Sequence, residues 1–173
     1  NTAVGTDALN SSHASASDNT AVGHDALTGA HTATTDFNTA VGSVTLNSLT
    51  SGKRNTAVGS YCMDGTETGN DNTAVGSSAL LVFTGSNATA VGSGAADAAT
   101  SATNLTAVGQ AALGACTDGL ENTGLGFAAG QAITTGDYNT AVGSLAMSVS
   151  HVNAFRNTAI GRASMATGAC VDD

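Results

Sequence analysis

The chain has 173 residues, no Pro or Trp, only 2 Tyr and 4 Phe, and an apolar fraction of 41% drawn largely from Ala and Val. A thick globular core needs large side chains, so this composition excludes one and favours a thin core repeated many times. With 13 acidic and 4 basic residues the formal net charge is −9, which argues against nucleic acid and a polybasic membrane surface; no apolar run reaches membrane-spanning length.

The first five residues are Asn1-Thr2-Ala3-Val4-Gly5, and they return unchanged from Asn19, Asn38, Asn55, Asn72 and Asn139. Edited copies stand at Thr89–Gly92, Thr106–Gly109, Asn122–Gly126 and Asn157–Gly161. The glycines of the ten copies fall at 5, 23, 42, 59, 76, 92, 109, 126, 143 and 161. A repeat this regular, near 17 residues, is the signature of a solenoid.

Within each copy, Thr stands three residues before the glycine, a tiny residue two before and a mid-sized aliphatic one before. Three and four residues after it come a small residue and then a mostly Leu or Met position. Gly recurs too often and the Thr-Ala-Val core is too β-branched for a helix. The alternation instead predicts an all-β parallel solenoid, or β-roll, of about ten rungs: strand, turn at Gly, second strand, then a loop to the next Asn. Gly at the turn is expected to take a positive φ.

Side chains of a strand alternate between faces, so Thr and the aliphatic residue share one face and Ala takes the other. The predicted core columns are Val4, Val22, Val41, Val58, Val75, Val91, Val108, Leu125, Val142 and Ile160 on the first strand. On the second they are Leu9, Leu27, Leu46, Met63, Leu80, Leu113, Met147 and Met165. The Ala column is then free for close approach of a second surface. Stacked Asn side chains are expected to form a ladder along the axis, and Arg54 and Asp71 to be neighbours one rung apart.

Loops rich in Gly, Ser, Thr, Asn and Asp absorb the changes in repeat length, and no composition shift divides residues 1–173, which reads as one repeat domain. So thin a core predicts a marginal isolated stack that gains burial from further rungs or other chains. The two ends are the expected assembly surfaces: Asn1, Thr2, Ala3, Val4 and Gly5 complete the motif left open at Cys170, Val171, Asp172 and Asp173. Joined head to tail, they keep the common period, which predicts one period of a longer fibre.

Chemistry is sparse. No nucleophile motif is present, Ser and Thr are repeat filler, and the acidic residues follow no catalytic spacing, so no enzymatic activity and no cofactor is expected. His13, His24, His31 and His151 are scattered, with Asp25 beside His24; two histidines in one repeat are a weak metal signal. Asp64, Glu67 and Asp71 offer the oxygen ligands calcium prefers, yet their loop matches no calcium-binding spacing, and the plain reading is a solvated loop. Cys62, Cys116 and Cys170 stand 54 residues apart, three rungs or roughly 14 Å along the stack, too far for an intrachain disulfide. Cys62 takes the place of a buried Ala, while Cys116 and Cys170 leave interchain bonds open. Asn10, Asn87 and Asn104 fit the N-glycosylation pattern.

The unit Asn-Thr-Ala-Val-Gly-x-x-Ala-Leu with its Gly/Asn-rich return resembles repeats in the heads of trimeric autotransporter adhesins, and still more those of phage tail fibres and bacterial surface fibres. The resemblance runs from Asn1 to about Thr167. It implies a left-handed parallel β-roll, with three chains side by side and Ala3, Ala21 and their column mates near the inter-chain contact. The expected function is a structural segment of an extracellular fibre, at a cell or virion surface, that associates with itself as a head-to-tail polymer or a homotrimer. The alternative is an adhesin or tail-fibre head whose loops bind surface glycans. Scattered aromatic residues favour the structural reading. Ice binding is a distant third, because it needs an exposed Thr array and Thr here shares a face with the predicted core Val.

Overall fold

The computed structural model describes residues 1–10, 16–29, 35–65, 68–149 and 153–166. Every Thr-Ala-Val copy is a three-residue strand: β1 (Thr2–Val4), β2 (Thr20–Val22), β3 (Thr39–Val41), β4 (Thr56–Val58), β5 (Thr73–Val75), β6 (Thr89–Val91), β7 (Thr106–Val108), β8 (Thr123–Leu125), β9 (Thr140–Val142) and β10 (Thr158–Ile160). They form one parallel sheet in chain order, with Thr on Thr, Ala on Ala and Val on Val in register, as where Thr56, Ala57 and Val58 pair with Thr73, Ala74 and Val75. The chain is a parallel β-solenoid with a period of about 17 residues, roughly 48 Å long at the usual strand spacing.

Rungs are also joined outside the strands. Gly59 N–H donates to Val41 of the rung before at 2.8 Å, Met63 N–H to Ala79 of the rung after at 3.1 Å, and Asp71 N–H back to Lys53 at 3.0 Å. Backbone groups at the corners are thus paired by the stack itself. The corner glycine is obligatory. Gly76 has φ +137°, and a Cβ there would overlap the carbonyl of Gly92, with the carbonyl carbon at 2.6 Å.

The predicted second strand is replaced by tight turns. Residues two and four after the glycine take left-handed backbone, Tyr61 at φ 54° and Met63 at 49° for example, which a strand excludes. The Leu/Met column survives this change: Leu27, Leu46, Met63, Leu80, Leu113 and Met147 are fully buried, and Leu9 and Met165 pack against the core at its ends.

The first-strand column is corrected. Ala21, Ala40, Ala57, Ala74, Ala90, Ala107 and Ala141 are fully buried, so the small column faces the core and no second chain. Val4, Val22, Val58, Val75, Val91, Leu125 and Ile160 are exposed, and Val41, Val108 and Val142 half-buried. Thickness decides this. The turn layer sends Leu or Met across the interior, and the sheet opposite has room only for Ala. Where Gly124 replaces Ala, a Cβ would lie 2.9 Å from Leu113 Cγ.

Two further inward columns lie in the loops. Leu49, Phe83, Ala99, Cys116 and Ile133, each seven residues after its glycine, are buried. Seven residues before the next glycine stand Gly52, Gly69, Gly85, Ala102, Gly119 and Gly136, also buried. A Cβ at Gly52, Gly69, Gly85, Gly119 or Gly136 would meet a carbonyl of the following rung. Cys62 is buried as an Ala substitute, its Sγ 3.4 Å from the Ala74 carbonyl oxygen. Cys116 is likewise a buried core residue, and burial raises its thiol pKa; an interchain bond there would require the rung to open.

Candidate functional site: an uncharged outer face and its decorated edge

The sheet presents one continuous outer surface. Thr and a mid-sized aliphatic residue flank a small residue on every strand, Ala in nine and Gly124 in β8, which is buried in all but the first strand, so ten Thr and ten Val, Leu or Ile side chains form two parallel rows. Within a strand the rows are roughly 6.6–6.8 Å apart, and along the stack each row repeats at about 4.8 Å. Neither row contains a charged residue. Val75 and Val91 are each 37% exposed, and Ile160 is 72% exposed on the last strand. Ten rungs of in-register apolar groups make a larger continuous patch than scattered surface hydrophobes do. The ground on which ice binding was set aside therefore fails, since Thr and Val share a face that points outward.

One edge of this face is set by the Asn column. Asn55 Oδ1 accepts the N–H of Asn72 at 3.0 Å, and Asn55 Nδ2 donates to the Gly69 carbonyl at 2.9 Å. The pattern repeats from Asn19, Asn38, Asn72, Asn122 and Asn139. The expected ladder is thus real, and it is buried. It is interrupted at Ala88 and Leu105, where buried apolar side chains stand instead.

Just before the Asn position of each rung, or before Ala88 and Leu105 where these replace it, is an exposed residue in left-handed backbone, among them Phe37, Arg54, Asp71, Asn87, Asn104, Glu121, Tyr138 and Arg156. Arg54 and Asp71 make the expected neighbour pair, Nε to Oδ1 at 2.6 Å and the second fork nitrogen to Oδ2 at 2.8 Å. The Arg54 hydrogen bond lowers the Asp71 pKa. One position earlier, a second ladder joins backbone to side chain: Ser17 N–H to Asp36 Oδ1 at 3.0 Å, Lys53 N–H to Asn70 Oδ1 at 2.9 Å and Leu120 N–H to Asp137 Oδ1 at 2.8 Å. The Ser17 amide, with Lys53 Nζ at 3.4 Å, holds the Asp36 carboxyl below its ordinary pKa. Farther round the loop the hydroxyls of Ser101 and Thr100, at 2.7 and 2.8 Å, do the same for Asp118.

Not all sequence candidates converge. Asp71 is committed to Arg54, Glu67 lies outside the described residues, and no group of three metal-ligating side chains occurs among the described residues. Asp64 stands apart: its Oδ1 is buried without a hydrogen-bond partner, and burial raises its pKa. His24 is exposed with Asp25 at 3.1 Å, whereas His13, His31 and His151 lie outside the described residues. Asn10, Asn87 and Asn104 are all exposed, Asn10 Nδ2 bonding Asp7 at 2.8 Å. Of the assembly ends, Asn1–Gly5 are exposed on the first rung, and Cys170, Val171, Asp172 and Asp173 lie outside the described residues.

Sequence reasoning missed one cluster. Tyr138 and Phe155, each twelve residues after its corner glycine, meet edge to face, ring centroids 5.5 Å apart, with the Arg156 guanidinium 4.7 Å from the Phe155 centroid and 5.7 Å from that of Tyr138. Counting forward from the preceding glycine puts the two rings at one offset, a signal that counting back from the next glycine hides. No family model, curated protein or solved structure matches the chain.

Proposed function

We propose that the chain is a structural segment of an extracellular fibre, associating with itself along the axis by rung stacking and sideways through the Thr/Val face. The outward, uncharged, ten-strand Thr/Val surface carries this reading. An apolar face of that length is stabilised when another face covers it, and sheets pack face to face at about 10 Å. The inter-chain contact moves accordingly from the Ala column to Thr and Val. Left-handed winding and a homotrimer, as in adhesin heads, belong to this reading, with a head-to-tail polymer as the axial form. Among the described residues no helix is long and apolar enough to cross a membrane.

Sedimentation and negative-stain microscopy of the purified chain test the proposal. Oligomers or filaments with an axial repeat are expected. A stable, monodisperse monomer at micromolar concentration would refute it.

A second reading, a glycan-binding adhesin or tail-fibre head, is favoured by one observation: two exposed aromatic rings and an arginine converge at Tyr138, Phe155 and Arg156.

A further inference from the structure

We infer that Tyr138, Phe155 and Arg156 bind a saccharide carrying a single carboxylate, its ring against the exposed aromatic surface and its carboxylate on the guanidinium. This rests on the glycan-binding reading above and gives it a ligand class.

The chain has six aromatic residues. Phe83 is buried in the core, and Phe37, Tyr61 and Phe127 are exposed with no ring partner among the described residues. Among the described residues only Tyr138 and Phe155 form a ring pair, and both stay open to solvent, at 41% and 38% exposure. Exposed, mutually braced rings are a stacking platform whose conformational cost is already met by the fold.

Arg156 supplies the charge. Arg54 occupies the same position in its own rung and is neutralised by a bidentate bond to Asp71. Arg156 has no ion pair among the described residues. Its guanidinium lies over the Phe155 and Tyr138 rings as a cation–π contact, and its N–H fork has no ion-pair partner among the described residues. That fork matches a carboxylate in bidentate geometry.

The surroundings limit the ligand's charge. Asp137 lies one rung before Phe155, its Oδ1 accepting the Leu120 N–H, and Glu121 is exposed one rung before Tyr138. The whole chain has a net charge of −9. One cation framed by acids suits one carboxylate on an otherwise neutral sugar, and opposes a polyanion such as heparin.

The test is a titration of the full chain with sialyllactose, lactose and heparin, followed by saturation-transfer NMR. Saturable binding of sialyllactose and none of lactose is expected. Arg156→Gln and Tyr138→Ala should each weaken it about tenfold or more, with Arg156→Lys in between because the charge remains and the fork is lost. Arg54→Gln should bind like wild type. Circular dichroism and melting curves establish that each variant folds. Absence of saturable sialyllactose binding, equal binding of lactose, or undiminished binding by folded Arg156→Gln each overturns the site. Sedimentation separates the two proposals: sugar binding by a monomeric chain keeps this site while the fibre reading falls, and an assembled chain blind to sialyllactose does the reverse.

Discussion

Asn72 Oδ1 accepts the backbone N–H of Ala88 at 2.9 Å, one rung on, while Asn72 Nδ2 donates to the Gly85 carbonyl at 3.0 Å. One side chain therefore satisfies two backbone groups of the following rung, in a position that is buried. Asn72→Ala leaves both unpaired, and an orphaned buried group costs about 1–3 kcal/mol. The variant should lose about 2–6 kcal/mol in denaturant unfolding. Asn87→Ala, exposed and close by, should lose far less. Equal losses would show that the ladder is incidental.

Glycine substitutions should divide by column. Gly76→Ala puts a methyl group into the backbone of Gly92 at φ +137°, a conformation closed to L residues, so the stack should fail to fold or fragment there. Gly94→Ala also meets a positive φ, 61°, but its nearest neighbour would be Asp97 Oδ2 at 3.6 Å. The equivalent position holds Tyr61, Ser78 and Ala111 in other rungs with similar φ. Gly94→Ala should cost about 1 kcal/mol, a shift of a few degrees in thermal melting.

Period and register were legible because Gly, Asn and Thr recur at fixed offsets, and each has a backbone reason to do so. The direction of the strand faces was not. Alternation shows that Val58 and Ala57 point opposite ways, and hydrophobicity favours Val inside; the depth of the interior decides, and depth is set by Leu46 and Met63 reaching across from the turns. The column of Leu49, Phe83, Cys116 and Ile133 was hidden by its varied residue types. The Gly52–Gly69–Gly85 column was hidden by variable loop lengths, since it aligns only when counted back from the next glycine. Arg54 and Asp71 could be paired from sequence because both sit next to the Asn that fixes the register.

Ala74→Leu and Ser77→Leu separate core from surface. Ala74 is fully buried opposite the turn layer, and Ser77 is exposed. The larger side chain at 74 overpacks a thin interior, typically about 1–3 kcal/mol or more, and should lower the melting temperature well below that of Ser77→Leu. Equal, mild effects would contradict the assignment of Ala to the interior.

Asp64 sets a pH dependence opposite to that of Asp36, Asp71 and Asp118. Its folded pKa is raised by burial above the ordinary value of 3.8, and Oδ1 has no partner. Below that value Asp64 is protonated folded or unfolded, and ionisation costs the fold nothing. As pH rises through the folded pKa, stability is lost. Asp36, Asp71 and Asp118 have lowered pKa values and contribute stability above their unfolded pKa that is lost as pH falls through the folded one. Asp64→Asn isolates the first effect: it should melt higher than wild type at pH 7 and alike at pH 3. Calcium provides the counter-test, since a bound ion would stabilise wild type and make Asp64→Asn the less stable of the two.

The outer face can be charged without disturbing the interior, because Val75 and Val91 project outward from adjacent, in-register strands. Val75→Lys with Val91→Lys should preserve the circular dichroism spectrum and the axial rung spacing. It should also abolish lateral association, since two cations with no opposing acid cannot be covered cheaply. A sedimentation coefficient that falls to that of a single stack is the expected result; unchanged assembly of a folded double variant would exclude this face as the contact. Ice provides the competing occupant, because the same rows offer hydroxyl and methyl groups at regular spacing. A laterally assembled chain hides the Thr rows and should leave ice recrystallisation unaffected, while the monomeric double variant retains Thr73 and Thr89 beside the new charges. Inhibition of recrystallisation by wild type, abolished in the double variant with no change in sedimentation, would assign the face to ice and remove lateral assembly from the account.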